Sequence, residues 1–482
     1  MYWIAGVFAF VVAELGNRYG YHRDEMYFLA AGRRLDWGYA DQPPLTPLLA
    51  RAMSAIDADS LMVLRLPATL AATAVIICAG LIAKELGGGR IAQALAAATV
   101  ASAALVMAAG HMLGTTVIDL AVWSGVVLAV LRLLRPDSDS RTWLLVGVLA
   151  GIGLQNKALI AVPLLVLAAA LALLGPRKIF ATKYFPLAVA IALVIALPYL
   201  WWQGAHGWPQ WEMSRAVASG SSGTSDTPIS FVLLQFGLIG PLLVPLWAYG
   251  LWWLARRPQY RAFALTYGVL FVVYLIIGGK AYYLGGMYPL LLAAGAVGFE
   301  RWLTADDRTY TVREVCGFAM CAVVALSAAV SALLFLPVLP VDVLRDSRVL
   351  AVNYDAGETV GWPRYVEQIA ETRSRAAPDA ELLTANYGEA AAIERFGGSH
   401  GLPTPHSGHN AYWWWGPPSE GPILTVGIPK DAIESLCADV ELVGHLDNRL
   451  EIYNDEQNQP MFLCRVLREP WSQRWPMMRH LG

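Results

Sequence analysis

Long apolar runs fill the first two thirds of the chain, and short polar connections separate them. A helix needs about 20 apolar residues to cross the hydrocarbon core of a bilayer, and many of these runs approach that length. The pattern predicts a polytopic α-helical transmembrane domain over residues 1–337, with about eleven spanning helices. These helices are expected at residues 2–17, 66–86, 91–110, 115–134, 142–156, 158–175, 184–202, 230–254, 262–278, 287–302 and 315–337.

After residue 337 the apolar runs shorten to strand length and alternate with helical patterns. The strand-like runs are ELLTANY, PILTVGI, VELVGHL and MFLCRVL, and the helical patterns are WPRYVEQIAETRSR and KDAIESLCA. Strands that alternate with helices are typical of α/β domains. Residues 338–482 are therefore predicted to form a small C-terminal α/β domain.

Composition also indicates a polytopic membrane protein. Hydrophobic residues make up 56% of the 482 residues, charged residues only 15%, and the mean hydropathy is +0.47. Soluble proteins carry roughly 25% charged residues. The net charge of −2 and the lack of a basic tract argue against nucleic acid as a partner, whereas membrane lipids are expected partners.

Lysine and arginine are unevenly distributed between alternate connections. The basic set comprises Lys84 and Arg90; Arg132, Arg135 and Arg141; Arg177, Lys178 and Lys183; Arg256, Arg257 and Arg261; and Arg301, Arg308 and Arg313. Because basic loops stay in the cytoplasm, this pattern predicts a multi-pass protein of the cytoplasmic membrane with a cytoplasmic N-terminus. The loop at 18–65 and the domain at 338–482 are then extracytoplasmic, although that loop is itself rich in arginine.

The loop at residues 18–65 is dense in ionisable groups. Asp24, Glu25 and Asp41 lie in it, with histidine and arginine residues between them. Charged residues between two segments that are apolar enough to enter a membrane are energetically costly unless they serve a function at the bilayer surface. The stretch 41–44 (DQPP) forms a rigid turn, because each proline fixes φ and removes a donor. We interpret the region as a loop and a short helix on the membrane, with acidic side chains at two separate positions.

These features resemble glycosyltransferase family 39, which includes the protein O-mannosyltransferases and the lipid A aminoarabinose transferases. The resemblance rests on the acidic pair at 24–25, the aromatic-rich helix after it and the acidic-x-Pro-Pro-Leu turn at 41–45, and it extends over about residues 1–337. It implies the C-type membrane glycosyltransferase fold. It also implies an enzyme that moves a sugar from a polyprenyl-phosphate donor to an acceptor hydroxyl at the outer face of the membrane. The acceptor, a protein, a lipid or a cell-envelope glycan, stays open.

The resemblance implies roles for the acidic residues. Asp24 would be the base that takes the acceptor proton, and Glu25 would orient it. Asp41 would bind the acceptor or a divalent metal ion, which usually needs about two or three ligands. The candidates for the other metal ligands are His22, His111 and His206. The structural alternatives are a helix cap for Asp24 and the opening of a turn for Asp41.

Basic and aromatic residues at external helix ends are expected to bind the donor phosphate. Lys157 resembles the lysine that ends a membrane segment in this family, where a cation would stabilise the leaving phosphate; snorkelling to the interface is the alternative. Lys280, Tyr282 and Tyr283 resemble the family element of a basic residue followed by two tyrosines, although interfacial tyrosines are common. Gln42 stands where relatives often carry Lys or His.

Five further residues are candidates for substrate binding. Asp119 begins the fourth span, where a carboxylate is either functional or half of a structural salt bridge. Glu389, His409 and Trp413 lie in segments of the C-terminal domain whose amides and aromatics suit sugar binding, with helix capping and packing as the alternative. His206 lies in a second external loop with a Gly/Ser-rich end that is expected to be mobile.

Two other functions are compatible with the pattern. A lipid-linked sugar transporter or flippase would also be polytopic, but it should show inverted repeats and broken helices near mid-bilayer. Here the charges cluster at one face, which favours an enzyme. A non-catalytic scaffold that binds cell-envelope glycan is the third alternative, and turnover of a polyprenyl-phosphate sugar would distinguish the enzyme from both.

Cys437 and Cys464 are the two cysteines that fall in the predicted C-terminal domain. Disulfides persist outside the cytoplasm, and one cysteine lies on a helical pattern while the other lies on a strand. A bond between them is predicted, provided that their Cα atoms lie within about 7 Å. Free, buried packing cysteines are the alternative.

Overall fold

The computed structural model describes residues 1–218 and 227–482. The Gly/Ser-rich end of the second external loop, with its predicted mobility, lies outside the described residues.

Helices dominate the first part of the chain, close to the predicted positions. They are α1 (Tyr2–Leu15), α2 (Arg23–Arg33), α3 (Leu45–Ile56), α4 (Leu61–Glu85), α5 (Arg90–Ala101), α6 (Ala104–Gly110), α7 (Thr115–Leu133), α8 (Thr142–Asn156), α9 (Ala161–Leu174), α10 (Tyr184–Ala205), α11 (Pro209–Ala218), α12 (Pro228–Ile239), α13 (Val244–Ala255), α14 (Arg261–Ile276), α15 (Tyr288–Leu303) and α16 (Tyr310–Phe335). Apolar side chains from most of these helices form one large buried cluster.

The predicted number of spans, about eleven, is not confirmed. Five described segments are long and apolar enough to cross a membrane, or seven if each of two bent pairs is one span. The five are Leu61–Glu85, Thr115–Leu133, Tyr184–Ala205, Ala281–Leu303 and Tyr310–Phe335. Other predicted spans form apolar helices of 10–17 residues. The pair α12–α13 bends by 83° at Gly240, whose φ is 102°, and at Pro241, which cannot continue a helix hydrogen-bond ladder.

The C-terminal part (residues 338–482) packs short helices on a five-stranded sheet, as predicted. The helices are α17 (Val341–Asp346), α18 (Val349–Val352), α19 (Trp362–Ala376), α20 (Tyr387–Phe396), α21 (Ala411–Trp414), α22 (Lys430–Leu436) and α23 (Trp471–Arg474). The strands are β1 (Glu381–Thr384), β2 (Pro405–Ser407), β3 (Ile423–Val426), β4 (Cys437–His445) and β5 (Pro460–Leu467). Their order is β2-β1-β3-β5-β4, with β1 parallel to β2 and β3, and β5 antiparallel to β3 and β4.

The predicted disulfide is confirmed. Cys437 and Cys464 are bonded, with Cα atoms 5.8 Å apart. Both belong to strands, however, because Cys437 begins β4 rather than ending a helix. The bond ties the edge strand β4 to its neighbour β5.

A second apolar cluster joins the first loop to the C-terminal part. Met26 and Tyr27 of α2 are buried together with Trp362, Ile393 and Leu424 from α19, α20 and β3. The short helix that was predicted to lie on the membrane is α2, and it is also packed against the C-terminal part. It is held between the helices and the sheet, and this position fixes the acidic residues that it carries.

Candidate active site

Helix α2 carries the first acidic residues, and its N-terminus is capped reciprocally. Nδ1 of His22 accepts a hydrogen bond from the backbone N–H of Asp24 at 3.2 Å, and Oε2 of Glu25 accepts one from the backbone N–H of His22 at 3.0 Å. Such capping satisfies donors that have no partner within the first turn of a helix. It fixes the position of Asp24 on that turn.

Glu25 is fully buried and anchors α2. Its carboxylate accepts two hydrogen bonds of 2.8 Å from Arg65 and one of 3.0 Å from the backbone N–H of Leu113. Arg65 also donates to the carbonyls of Gly16 and Gly20. Burial acts to raise the pKa of Glu25, but the Arg65 guanidinium and the hydrogen bonds outweigh it and lower the pKa. Glu25 therefore stays charged, and its partners are structural.

Two tyrosine hydroxyls hold the carboxylates of Asp24 and Asp41. Tyr387, the first residue of α20, donates to Oδ1 of Asp24 at 2.6 Å, and Tyr27 on α2 donates to Oδ1 of Asp41 at 2.7 Å. The two rings lie against each other, with centroids 4.8 Å apart. Burial raises the pKa of both phenols, and the negative carboxylates raise it further, so both hydroxyls remain protonated donors.

A cavity of about 670 Å³ opens beside these carboxylates. The predicted site residues that line it are Asp24, Asp41, Gln42, Lys157, Lys280, Tyr282 and Tyr283. They come from separate stretches of the chain, and the volume is within the range of about 300–1,000 Å³ that is typical of small-molecule sites. Burial raises the pKa of Asp41 to about 6, although the hydrogen bond from Tyr27 opposes the shift.

The basic side of the cavity combines lysine with tyrosine. Nζ of Lys157 lies 4.8 Å from the ring centroid of Tyr282 and 4.9 Å from that of Tyr283. The faces of aromatic rings attract cations, so these rings hold the ammonium in place. Lys280 and Asp119 are close enough to Lys157 to interact with it electrostatically. The cavity thus offers cations to a phosphate group and carboxylates to a hydroxyl proton.

Gln42 adds a polar group to the cavity wall. It is only 4% exposed, and its Nε2 has no hydrogen-bond partner within residues 1–218 and 227–482. Buried polar groups are nearly always paired, so this amide is available to a ligand. Asn156, also on the wall, is already satisfied, because it accepts from the Thr46 hydroxyl at 3.0 Å and donates to the Thr115 carbonyl at 2.8 Å.

The fold does not bring the histidine candidates for a metal site to Asp41. His22 caps α2, His111 is buried with Nδ1 bonded to the backbone, and His206 is exposed with its ring stacked on Trp202. Among the described residues, no group of three or more His, Cys, Asp or Glu side chains could hold a metal ion. The side chains around Asp41 therefore do not fit a metal ion.

The residues of the C-terminal part that were predicted to bind substrate are hydrogen-bonded to the backbone of the protein. Glu389 accepts hydrogen bonds from two backbone N–H groups at the start of α20. Nε2 of His409 lies 2.7 Å from the Gly482 carbonyl, and burial, together with the neighbouring His480, lowers the pKa of His409 to about 3. Trp413 donates to the carbonyl of Trp475 at 2.9 Å. These three side chains pack the domain and lie outside the cavity lining.

Asp119 lies on α7, behind the lysines. It is not among the residues that line the cavity, and its Oδ1 is buried without a hydrogen-bond partner in the described part of the chain. Its electrostatic partner is Lys157. Asp119 therefore interacts electrostatically with a cavity lysine but does not itself line the cavity.

Several residues that line the cavity were not predicted. They are Tyr27, Tyr387, Asn410 and, from α11, Gln210 and Arg215. Tyr387 and Asn410 belong to segments singled out in the sequence, but the fold decides which side chain of a segment faces the cavity. The φ of 49° at Asn410 is unusual for a residue other than glycine. No sequence signal distinguishes α11.

Sequence comparisons relate this chain to glycosyltransferases. Residues 41–202 match the family described as dolichyl-phosphate-mannose-protein mannosyltransferase. The lipid A galacturonosyltransferase RgtD of Rhizobium johnstonii is 29% identical over 231 residues. That match covers 47% of this chain, and the chain spans about half (48%) of the length of this curated relative.

Structural comparison extends over nearly the whole chain. The crystal structure of ArnT from Cupriavidus metallidurans in the apo state has a TM-score of 0.63 at 15% identity, covering 95% of this chain and 96% of ArnT. The ArnT structure bound to undecaprenyl phosphate has a TM-score of 0.62. The fold is thus the C-type glycosyltransferase fold of a multi-pass membrane protein. The sequence matches agree with the predicted resemblance to glycosyltransferase family 39.

Proposed function

We propose that this protein is a glycosyltransferase that moves one sugar from a polyprenyl-phosphate donor to an acceptor hydroxyl. The observation that carries this proposal is the convergence of Asp24, Asp41, Lys157 and Lys280 on one cavity. Transfer from a sugar phosphodiester needs a base for the acceptor and cations for the leaving phosphate. The relatives support it, since RgtD is a lipid A galacturonosyltransferase and ArnT was crystallised with undecaprenyl phosphate.

The reaction is a single displacement. Oδ2 of Asp24 takes the acceptor proton while the acceptor oxygen bonds to the anomeric carbon. The bond between that carbon and the phosphate oxygen breaks, and its electron pair leaves with the polyprenyl phosphate, so the anomeric configuration inverts. Lys157 and Lys280 stabilise the charge on the leaving phosphate. Asp41, held by Tyr27, accepts a hydrogen bond from a sugar or acceptor hydroxyl.

The donor lipid leaves the cavity on its apolar side. Leu159, Val162 and Ile277 line that side, at the ends of helices α9 and α14. Ile277 is half exposed and faces the surroundings of the protein. A polyprenyl tail can pass these side chains into the bilayer while its phosphate stays beside the lysines. This route needs no polar surface in the hydrocarbon core.

We also propose that the cavity faces the outer side of the cytoplasmic membrane and that the N-terminus is inside. The basic connections are held together at one end of the helices: Glu85 pairs with Arg132 and Arg135, and Glu300 accepts from the backbone N–H of Gly89. Basic connections of this kind favour the cytoplasmic side. The C-terminal part, which borders the cavity, is then extracytoplasmic.

The test is turnover by purified protein in lipid nanodiscs. A panel of polyprenyl-phosphate sugars would be incubated with membrane extract as the source of protein, lipid and glycan acceptors. The proposal predicts release of polyprenyl phosphate and transfer of one sugar to an extract component. Donor binding without release, or movement of intact donor across a vesicle membrane, would contradict it.

A further inference from the structure

The proposed base is held from the C-terminal part of the chain. The hydroxyl of Tyr387 donates to Oδ1 of Asp24 at 2.6 Å, although the two residues are 363 positions apart. A hydrogen bond to a carboxylate is stronger than one between neutral groups. It therefore restricts the rotation of the Asp24 side chain.

The other carboxylate oxygen of Asp24 is left for the reaction. Within the described residues Oδ2 accepts no hydrogen bond, and Nδ1 of His22, at 3.9 Å, is beyond hydrogen-bonding distance. That nitrogen already accepts the backbone N–H of Asp24. The Asp24 side chain is 44% exposed and lines the cavity. One oxygen is thus fixed by Tyr387 while the second faces the space in which an acceptor would lie.

Tyr387 is itself firmly placed. Its ring lies between those of Tyr27, at 4.8 Å, and His409, at 4.9 Å. The start of α20 lies directly on α2, since a Cβ atom on Gly388 would come within 3.0 Å of the Arg23 side chain. Arg23 in turn pairs with Asp455 at 3.0 Å. The hydroxyl of Tyr387 therefore cannot reach other positions without separation of the two helices.

We propose that Tyr387 is a positioning residue, which orients Asp24 so that Oδ2 faces the acceptor hydroxyl, and that the C-terminal part completes the active site in this way. This inference rests on the proposed glycosyl transfer, because it assigns a role within that reaction. Hydrogen bonds to a carboxylate in general favour its ionised form, so we expect loss of the bond to slow the chemical step and to change its pH dependence.

The groups that face Asp24 are few. On α2 they are its neighbours His22 and Arg23, and on α20 the facing group is Tyr387. Across the cavity, Asp41 and Tyr282 act on it electrostatically. Substitution of Tyr387 leaves the other groups in place, so a shift of the pH–rate profile reports the lost bond.

The test uses Tyr387→Phe in the full-length protein. We expect kcat to fall by about 10–100-fold, since a small misplacement of a catalytic group costs on that order, with the KM for the donor nearly unchanged. The acid limb of the pH–rate profile should move to higher pH. In an Asp24→Asn background the same change should cause no further loss, because the two residues act as one unit. The matched control is Tyr365→Phe, which removes a buried hydroxyl bonded to Asn454 in the same part of the chain.

A second variant tests the bond without loss of volume. Tyr387→3-fluorotyrosine keeps the shape of the ring and has a more acidic hydroxyl, so the acid limb should move to lower pH. If Tyr387→Phe retains the wild-type kcat, or if the acid limb stays in place in both variants, the role proposed for Tyr387 is wrong. The proposed function still stands in that case, provided that the wild-type protein transfers sugar. A wild-type protein that transfers no sugar overturns the proposed function, and this inference with it.

Discussion

Lys157 is the residue whose charge the donor phosphate should meet most directly. Its ammonium lies over the rings of Tyr282 and Tyr283 at the cavity wall. We predict that Lys157→Ala lowers donor binding and turnover together, by about 10–100-fold, because the phosphate is charged in both ground and transition states and a charged hydrogen bond is worth roughly 1.5–3 kcal/mol. Binding of labelled donor and initial rates would be measured on the same preparation.

Lys183 offers a matched control for Lys157. Its ammonium also lies over a tyrosine ring, 5.4 Å from that of Tyr184, but it is not a cavity residue. Lys183→Ala should leave donor binding unchanged. If the uncharged polyprenol and the phosphate donor lost equal affinity in Lys157→Ala, the lysine would be an interfacial anchor only.

The titration of Asp41 should make the stability of the folded protein depend on pH. Burial raises its pKa from an ordinary 3.8 to about 6, so the folded state binds this proton more tightly than the unfolded state. The resulting stabilisation is complete below the unfolded pKa and is lost as the pH rises through about 6. The stabilisation that is lost between about pH 5 and about pH 7.5 is about 1 kcal/mol.

We predict that Asp41→Asn removes this part of the pH dependence. Thermal unfolding of wild type and variant at both pH values should show a smaller loss of stability in the variant as the pH rises. The exposed carboxylate of Asp137 is the control, and Asp137→Asn should retain the wild-type slope. Equal slopes in wild type and Asp41→Asn would contradict the prediction.

At the scale of elements, the attachment of α2 to α4 depends on one buried ion pair. Glu25→Gln leaves the Arg65 guanidinium buried without a counter-charge, and breaking such a pair costs roughly 3–5 kcal/mol. We predict a loss of that size in the free energy of unfolding, measured in detergent. Glu85→Gln removes the same charge from a pair with the more exposed Arg132 and should cost less than about 1 kcal/mol. Similar losses of unfolding free energy in both variants would mean that the buried Glu25–Arg65 pair stabilises the fold no more than the exposed pair does.

The types of most elements follow from local patterns, but their interruptions do not. Apolar runs predicted α4, α7 and α16, and strand-length runs predicted β1, β3 and β5. The break at Gly240 and Pro241 lies inside an uninterrupted apolar run, so hydropathy alone missed it. Strand β2 has three residues, and only its pairing with β1 makes it a strand.

The site residues divide in the same way. Asp24, Asp41, Lys157 and Lys280 line one cavity, and they could be selected from the sequence because charged groups at the ends of apolar runs are rare and the acidic residues lie in a recognisable turn and helix start. The contact with Tyr387 was not predictable, since it depends on how α20 docks on α2. Glu25 lies next to Asp24 in sequence, yet the helical rotation of about 100° per residue turns it towards Arg65 instead.

At the scale of the whole molecule, the two ends of the helices carry different chemistry. One end holds basic connections tied by ion pairs, and the other holds the cavity between the first loop, the lysines and the C-terminal part. In the proposed reaction, a lipid-borne donor reaches the cavity from the bilayer, and an acceptor reaches it from the aqueous side. This separation is the physical basis of the proposed reaction.

Single-turnover transfer by Asp24→Asn with the donor already bound tests the role of Asp24 as the base most directly. We predict wild-type donor affinity and a rate that is lower by about 10²–10⁴-fold, because a positioned general base contributes that much. Asp57→Asn, at an exposed carboxylate in the same loop, should transfer at the wild-type rate. A rate for Asp24→Asn within a few-fold of wild type would show that Asp24 is not the base.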